Sequence, residues 1–380
     1  MTTTINNEHK KLNVPNLRFP EFQGEWEKCK LGEIATICGG YAFNSKELSS
    51  KKGLYQVVKM GNLYQNNLDL SRTPSFINYI DSKSNKVLLH YGDIAITLTG
   101  TNNKRDFGYS YMFTTEQNLL LNQRCGLIRT EHNPYFVYNL VKTNSFLNQF
   151  FESSTGGTGN QANVSTKSME SFSVYIPKSK EQRKIADLLR LLDERIATQN
   201  KIIDKLQSLI KGIADKLFQT ARTTKPLLEF APNITSGTDK SGSGTIPLYG
   251  STGIIGTVKN ASQKGNIVLV ARVGTIGTVQ YVNEPCGVSD NALIVEAGEM
   301  TKYIYHFLKT YNFARITSGT TQPLITASSL KKAAIPTYDF ESQTRIVLCL
   351  NGLEKKLDIA KQYLSEIAVM KQYLLRQMFV

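Results

Sequence analysis

The sequence has few residues that could form a disulfide or bind a metal ion, and these residues are not regularly spaced. Its five cysteines include no Cys-x-x-Cys spacing, and its four histidines include no His-x-x-x-His spacing. A disulfide framework and a structural zinc site both need such residues in sets at regular spacings. Neither is therefore supported, and we expect the protein to reside in a reducing cytoplasm.

Long apolar runs are also missing. The run Ile267–Ala271 is far shorter than the roughly 20 apolar residues that a membrane-spanning helix needs. The N-terminal stretch MTTTINNEHKKLN is polar and lacks the apolar core of a signal peptide. We therefore expect a soluble protein that is not exported and has no membrane partner.

Recognisable catalytic motifs cannot be singled out either. The sequence offers no clear Ser/His/Asp set, no Gly-rich phosphate loop followed by Lys-Ser/Thr, and no nuclease-like carboxylate cluster. We expect a binding protein that is not catalytic by itself and that holds no cofactor or metal in this chain.

Basic residues outnumber acidic ones, with 45 Lys and Arg against 31 Asp and Glu. The formal net charge is +14 and the isoelectric point is near 9.4. Such a balance indicates an anionic partner, although nucleic acid, an acidic protein and a membrane surface fit it about equally.

The second half of the chain repeats the first at an offset of 161 residues, with no net insertion over the matched stretch. The repeat indicates two copies of one module in a single chain. The matched pairs are Gln161 with Gln322, Gln182 with Gln343, Ile185 with Ile346, Leu189 with Leu350, Leu192 with Leu353, and Phe218 with Phe379.

Both modules carry short runs of β-branched and aromatic residues between Gly and Asn turns, which is typical of strands. The predicted fold class is therefore mixed α/β (α+β) with strands dominant. The predicted strands cover 55–59, 93–98, 126–129, 267–273, 277–282 and 292–296, and the predicted helices cover 134–152 and 302–316.

Each module ends in a heptad-patterned segment, and two such segments in one chain favour an antiparallel coiled coil. In the alternative, each helix packs only on its own module. Gln199 and Lys371 interrupt the apolar seams and are expected to fix register or to mark where another subunit joins. The predicted seam residues are Ile185, Leu189, Leu192, Ile196, Ile203, Leu206, Ile346, Leu350, Leu353, Leu357, Leu364 and Ile367.

An antiparallel pair would relate two similar domains by a pseudo-two-fold axis. The first seam is about 48 Å long at 1.5 Å per residue, somewhat more than one turn of duplex at roughly 34 Å. Two reading domains on such a pair suit a split DNA site. The predicted domains are 1–179 (an arm and the first target-recognition domain), 180–222 (central helix), 223–340 (second target-recognition domain) and 341–380 (C-terminal helix).

Two polar loops follow apolar strands at comparable places in the modules. The first runs from Thr97 to Arg105 and the second from Ala271 to Gly277. Arg, Asn, Lys and Thr side chains match the acceptors of base edges and phosphates. The loops differ in content, as expected if two similar domains read two different sequences, although ordinary solvated turns remain the alternative.

Four further stretches stand out: the arm VPNLRFPEFQGEW, the entry GGYAF at 39–43, the run EQRKI at 181–185 and the run IPLYGSTG at 246–253. In these stretches the chain resembles the specificity subunit of type I restriction–modification systems. The second helix start, SQTRI at 342–346, departs mildly from the first.

The resemblance implies a DNA reader with two target-recognition domains and a bipartite target. It implies assembly with two methylation subunits, which use S-adenosylmethionine, and with motor-nuclease restriction subunits, which use ATP and Mg. The candidate DNA-binding residues are Thr99, Thr101, Asn102, Lys104, Arg105, Gln123, Arg124, Gln161, Tyr249, Ser251, Thr252, Arg272, Thr275, Asn291 and Gln322. Gln161 and Gln322 could instead be structural.

Two alternatives stay open at the level of sequence. The chain could be the recognition part of a fused restriction–modification enzyme, or a basic coiled-coil scaffold for an acidic protein.

Overall fold

The computed structural model describes residues 13–101, 104–156, 161–319 and 323–380. These residues form two units. The first unit comprises the chain up to Ala197 together with Ser365–Val380, and the second comprises Thr198–Leu364. The division falls within two long helices, Ser179–Gln219 and Phe340–Gln377, so each unit contains part of both.

The first unit is built mainly from short strands. Its strands are Glu27–Lys30, Ala35–Gly39, Tyr55–Val58, Leu63–Tyr64, Asn67–Leu68, Phe76–Ile77, Ile94–Thr97, Thr99–Thr101, Ser110–Met112, Leu119–Leu121, Cys125–Thr130, Thr155–Gly156, Gln161–Asn163 and Ser173–Ile176. Its other helices are Leu31–Ile34, Pro134–Leu140, Asn144–Glu152 and Thr166–Glu170, with 3₁₀ turns at Met60–Asn62 and Ser84–Val87.

The second unit has fewer elements of the same kinds. Its strands are Thr223–Pro226, Thr235–Ser236, Ile246–Tyr249, Ile254–Val258, Ile267–Ala271, Val279–Val282, Gly287–Val288, Ala292–Val295 and Ala334–Thr337. Its other helices are Thr301–Thr310 and Ala327–Lys331, with 3₁₀ turns at Leu227–Glu229, Gly298–Met300 and Phe313–Arg315.

A four-stranded antiparallel sheet lies at the centre of the first unit. Its strand order is Ala35–Gly39, Cys125–Thr130, Ile94–Thr97, Ser110–Met112. The strand Ile94–Thr97 is buried at every position because its two faces belong to two cores. Ile94 and Ile96 pack with Phe136 and other helical residues, whereas Ala95 packs with residues of a three-stranded sheet. Such two-sided burial explains a strand that is apolar without alternation.

The second unit repeats this design. Its four-stranded sheet has the order Thr235–Ser236, Ala292–Val295, Ile267–Ala271, Val279–Val282. Along the central strand, Val268 and Val270 join the helical core, and Ile267 and Leu269 join the core of the smaller sheet.

Besides its four-stranded sheet, each unit has a smaller, three-stranded sheet that contains one parallel pair of strands. In the first unit Tyr55–Val58 pairs with Leu119–Leu121, and in the second Ile246–Tyr249 pairs with Gly287–Val288. The predicted mixed α/β class is confirmed, and the internal repeat is a repeat of topology as well as of sequence.

The long helices run antiparallel within each unit. In the first unit, Ile185 and Leu189 share a core with Leu375 and Phe379. In the second, Ala214 and Phe218 share a core with Ile346 and Leu350. The start of each long helix therefore packs against the end of the other, as in an antiparallel pair. All twelve predicted seam residues are buried or half-buried. Within each unit, seam residues of both helices join the core of that unit as well as contacting each other.

Two predicted helices need correction. The segment 134–152 is two helices, because the Thr143 hydroxyl accepts a hydrogen bond from the Phe146 amide and starts a new helix. The segment 302–316 ends as an α-helix at Thr310, because Asn312 caps a separate 3₁₀ turn. Both breaks depend on a capping side chain within an otherwise apolar pattern.

Candidate nucleic-acid interface

Four candidate residues of the first unit meet around two adjoining depressions. The depressions have volumes of about 310 and 270 Å³, and Thr99, Thr101, Arg124 and Gln161 contribute to their lining. The strand Thr99–Thr101 brings them together by pairing with Gln161–Asn163. The Thr99 hydroxyl donates to Asn163 Oδ1 over 3.2 Å. Threonine, glutamine and arginine donors therefore converge on one surface.

The loop after this strand is closed by Asp106. The Thr101 amide donates to the Asp106 carboxylate over 2.6 Å, and the Thr101 hydroxyl donates to it over 3.0 Å. These bonds, with the amide first, hold the pKa of Asp106 below its usual value. These bonds tie Thr101 to Asp106, the residue that follows Lys104 and Arg105. Asn102 lies outside the described residues.

Arg105 does not join the surface around Thr99. Its backbone lies in the left-handed region at a φ of 47°, and its guanidinium lies 5.0 Å from the centre of the Phe151 ring. It lines a different cleft, which also contains Lys142. Lys104 and Gln123 are exposed and line neither depression. The first set of candidates is therefore divided between surfaces.

Three turns meet at one end of the smaller sheet in the second unit. The turn after Tyr249 is closed by a 2.8 Å bond from the Gly250 amide to the Gly253 carbonyl. The Ser251 hydroxyl lies 4.0 Å from the position that a Cβ on Gly274 would occupy, which places the second turn beside the first. The third turn joins through the Ser289 amide, which donates to the Tyr249 carbonyl over 2.9 Å.

Arg272 lies where these turns meet. Its amide donates to the Asn291 carbonyl over 3.0 Å, and its carbonyl accepts from the Ile325 amide over 3.0 Å. The backbone is thus fixed on both sides. The Arg272 Nε atom is buried and has no hydrogen-bond acceptor among the described residues. A buried guanidinium donor without an acceptor is costly, so a rotation of the side chain onto a bound acceptor would relieve this cost.

The remaining candidates of the second unit differ in whether their side chains are exposed or already hydrogen-bonded. Thr252, Thr275 and Asn291 are exposed. The Tyr249 hydroxyl donates to Glu284 Oε1 over 2.7 Å. Burial, followed by this hydrogen bond, raises the pKa of Tyr249 to about 12, so its proton is committed to Glu284. Gln322 lies outside the described residues.

Sequence reasoning missed three residues that shape these surfaces. Asn163 lines the same depression as Gln161, and alternation along a strand could have found it, since residues two apart share a face. Asp106 orders the first loop. Gln280 donates to the carbonyls of Gly250 and Ser251, at 2.9 and 3.3 Å. The contacts of Asp106 and Gln280 depend on tertiary folding and leave no local signal.

Within the four described ranges, no group of three or more His, Cys, Asp or Glu side chains is arranged to hold a metal ion. None of the helices in the described part of the chain combines the length and apolar character needed to cross a bilayer.

Comparison with protein families gives a match over most of the chain. The family described as "Type I restriction modification DNA specificity domain" matches twice, over residues 23–208 and 224–369. The two matched segments reflect the internal repeat.

Two curated relatives from Methanocaldococcus jannaschii are similar over part of their length. A putative type I restriction enzyme MjaX specificity subunit is 22% identical over 218 residues, covering 55% of this chain and 49% of that protein. The type I restriction enzyme MjaVIII specificity subunit is 26% identical over 202 residues, covering 53% and 43%. The matches thus span about half the length of these relatives.

Two solved structures share the fold. The type I restriction–modification S subunit from M. genitalium has a TM-score of 0.64 at 18% identity, covering 97% of this chain and 99% of that one. A structure titled for complex assembly and conformational transition of the type I R-M system has a TM-score of 0.55 at 14% identity, covering 92% and 96%. These findings do not favour the fused enzyme or the scaffold for an acidic protein. Because the family match spans both units, the chain belongs to the family of type I restriction modification DNA specificity domains.

Proposed function

We propose that this chain selects the DNA target of a type I restriction–modification complex by binding a bipartite duplex sequence. Each unit reads one half of the target through its polar turns. The family match and the repeated topology support this proposal. The net charge of +14 suits a polyanionic duplex.

The observation that carries the proposal is the unpaired donor of Arg272. Its backbone is anchored at two hydrogen bonds, its Nε is buried without an acceptor among the described residues, and it lies beside Asn291. Arginine is the side chain that most often reads guanine, through the O6 and N7 acceptors, and asparagine suits adenine. A base edge or a phosphate oxygen supplies the missing acceptor.

The first unit offers a different set of donors for its half of the target. Thr99, Thr101, Arg124 and Gln161 converge on one surface, and glutamine and arginine are both base-reading side chains. Because the frameworks agree and the turns differ, the two half-sites have different sequences.

Catalysis belongs to partner subunits in this proposal. The chain itself recognises DNA, and it assembles with two methylation subunits that use S-adenosylmethionine and with motor-nuclease subunits that use ATP and Mg. The complex works in the cytoplasm. The names of the relatives, which are specificity subunits of restriction enzymes, support this division of labour.

The test is binding of the full chain to duplex DNA over a range of salt concentrations. We expect the logarithm of the binding constant to fall linearly with the logarithm of salt, with a slope of several units. Methylome sequencing of cells with and without the gene should show both half-sites and the gap. Binding that ignores salt, together with an unchanged methylome, would rule out the proposal.

A further inference from the structure

A second cleft of the first unit lies apart from the depressions around Thr99. Its volume is about 460 Å³. It lies where Lys142, just after the helix Pro134–Leu140, meets Asp193 of the first long helix and Lys371 of the second. Arg105 and Asn144 also line it. The cleft thus gathers three cationic side chains around one carboxylate.

The carboxylate of Asp193 is already engaged at both oxygens. Its Oδ1 accepts a hydrogen bond from the Lys371 ammonium, and its Oδ2 accepts one from the Tyr135 hydroxyl. Lys371 is only 9% exposed, whereas the side chain of Asp193 keeps 33% of its surface exposed, so the ammonium is the buried partner of this ion pair. Asp193 therefore neutralises Lys371 and has little capacity left for a second cation.

Lys142 is the lysine of this cleft that Asp193 does not neutralise. Its Nζ lies 3.6 Å from the centre of the Tyr138 ring, and it forms no ion pair with a carboxylate in the described ranges. Burial, and then the nearby charge of Lys371, lower the pKa of Lys142 to about 7, although Asp193 opposes the shift. The cleft holds positive charge at a cost that an anion would relieve.

A helix adds to the positive potential of this cleft. The helix Asn144–Glu152 begins at the cleft, where Asn144 is part of the lining. The first amides of a helix lack partners within the helix and carry partial positive charge. The Phe146 amide is already capped by Thr143, so this helix start adds mainly positive potential to that of the two lysines, which favours an oxyanion.

The second unit differs in how the corresponding lysine is paired, although Lys211 and Lys361 also line the cleft there. There the Lys309 ammonium lies 5.2 Å from the centre of the Tyr305 ring, much as Lys142 lies over Tyr138. Glu354, the repeat equivalent of Asp193, pairs directly with Lys309 at 2.5 Å. The repeat equivalent of Lys371 is Ile210. In the first unit, Lys371 therefore pairs with the carboxylate that would otherwise pair with Lys142.

We propose that this cleft is a binding site for a phosphate-type oxyanion, held between the ammonium groups of Lys142 and Lys371. The phosphate comes either from the backbone of a DNA duplex or from free phosphate in solution. Only the first source rests on the proposed function.

Anion binding at this site takes up a proton. The bound anion favours the charged form of Lys142, so a neutral amine, a proton and the anion combine without breaking any bond. The other charged or titratable groups that line the cleft with Lys142 are Lys371 and Asp193 from the long helices, Tyr138 from the preceding helix, Arg105 from the loop, and Tyr109 just before the strand Ser110–Met112.

The first experiment is calorimetric titration of inorganic phosphate into the full chain, at a pH just above the pKa of Lys142. Running it in two buffers with different ionisation enthalpies measures proton uptake, from which the proton that phosphate itself exchanges near neutral pH is subtracted. We expect phosphate binding with net proton uptake in the wild type, and at least about tenfold weaker binding in Lys142→Met. Lys180→Met, an exposed change on the first long helix, is the matched control.

The second experiment measures duplex binding of the same variants against salt. If the phosphate belongs to DNA, Lys142→Met lowers the log–log slope by about 1 relative to Lys180→Met. An effect on inorganic phosphate alone assigns the site to the free anion. If neither quantity changes in a folded Lys142→Met protein, or if the wild type binds phosphate without proton uptake, the proposal is overturned.

A second variant guards against misfolding. Lys371→Ile introduces the residue that the repeat carries at Ile210, and we expect it to weaken the same binding. Failure of the chain to select any DNA sequence would contradict the proposed function, yet it would leave phosphate binding and its proton uptake measurable.

Discussion

Gln199 donates a hydrogen bond from its side-chain Nε2 to the main-chain carbonyl of Ala360, 3.0 Å away, and Ala360 is the repeat equivalent of Gln199. Both residues are buried, at 8% and 7% exposure. A residue that meets its own equivalent is the contact expected where two equivalent antiparallel helices cross at a local two-fold relation. The polar side chain on the seam therefore marks the register of the helix pair.

The first prediction concerns this bond. Gln199→Ala should lower the free energy of unfolding by about 0.5–1.5 kcal/mol, the net value of one hydrogen bond. Asn200→Ala, at the exposed neighbouring position, should change it much less. Urea denaturation of both variants checks the difference, and equal effects would mean that the seam does not depend on this contact.

The N-terminal arm supplies a second prediction. Arg18 donates to the buried Glu181 carboxylate over 2.7 and 2.8 Å, and Trp26 Nε1 donates to it over 3.2 Å. Arg18→Met leaves that carboxylate buried without its cation, so we expect a loss of about 3–5 kcal/mol in unfolding free energy.

The matched control for the arm is Lys184→Met. Lys184 pairs with Glu21, and both side chains are nearly half exposed. The expected loss is much smaller than that of Arg18→Met, because an exposed ion pair contributes little to stability. Chemical denaturation compares the two, and similar losses would show that burial of Glu181 does not set the strength of the attachment.

The third prediction concerns base reading. If Arg272 and Arg124 read bases, changing either to Ala should cost about 1–3 kcal/mol of binding free energy and relax selectivity in one half-site. Arg222→Ala, an exposed change, is the control. Competition binding with duplexes mutated in each half-site provides the measurement. Equal weakening on every sequence would instead assign the arginine to a phosphate.

The fourth prediction is a pH dependence that comes from Lys142. Its pKa is about 7 in the folded chain, whereas the usual value is near 10.5. Between these values the unfolded chain keeps a proton that the folded chain has released, so unfolding free energy rises with pH. The penalty of the buried charge is fully present below pH 7 and fades above it.

Denaturation at a series of pH values tests this dependence. The unfolding free energy of the wild type, relative to Lys142→Met, should increase as pH rises above 7. The same comparison with Lys180→Met should be flat. A flat difference for Lys142→Met would contradict the lowered pKa.

Features governed by local pattern could be predicted from the sequence. The strand Ile94–Thr97 begins with three consecutive apolar residues, and its counterpart Ile267–Ala271 is apolar throughout; such runs indicate burial on both faces. The seams of the long helices follow a heptad spacing that the structure buries. In each case, neighbours along the chain carry the information.

Features governed by tertiary partners could not be predicted. Arg105 belongs to the polar loop by position, yet contact with Phe151 takes it to another cleft. Lys371 was recognised as a break in the seam, but its partner Asp193 depends on how the helices are aligned. The buried donor of Arg272 depends on strands and turns that are distant in sequence.

The strand Ile94–Thr97 contributes side chains to two cores at once, while the exposed residues Lys104 and Arg105 of the loop that follows it belong to neither. Mutational tolerance should therefore be divided sharply along a few residues of chain. Changes within the strand disturb packing on both sides and are expected to reduce the yield of folded protein, whereas exchanges among the exposed turn residues leave both cores intact. New target preferences should consequently arise by substitution in the turns, at little cost to folding.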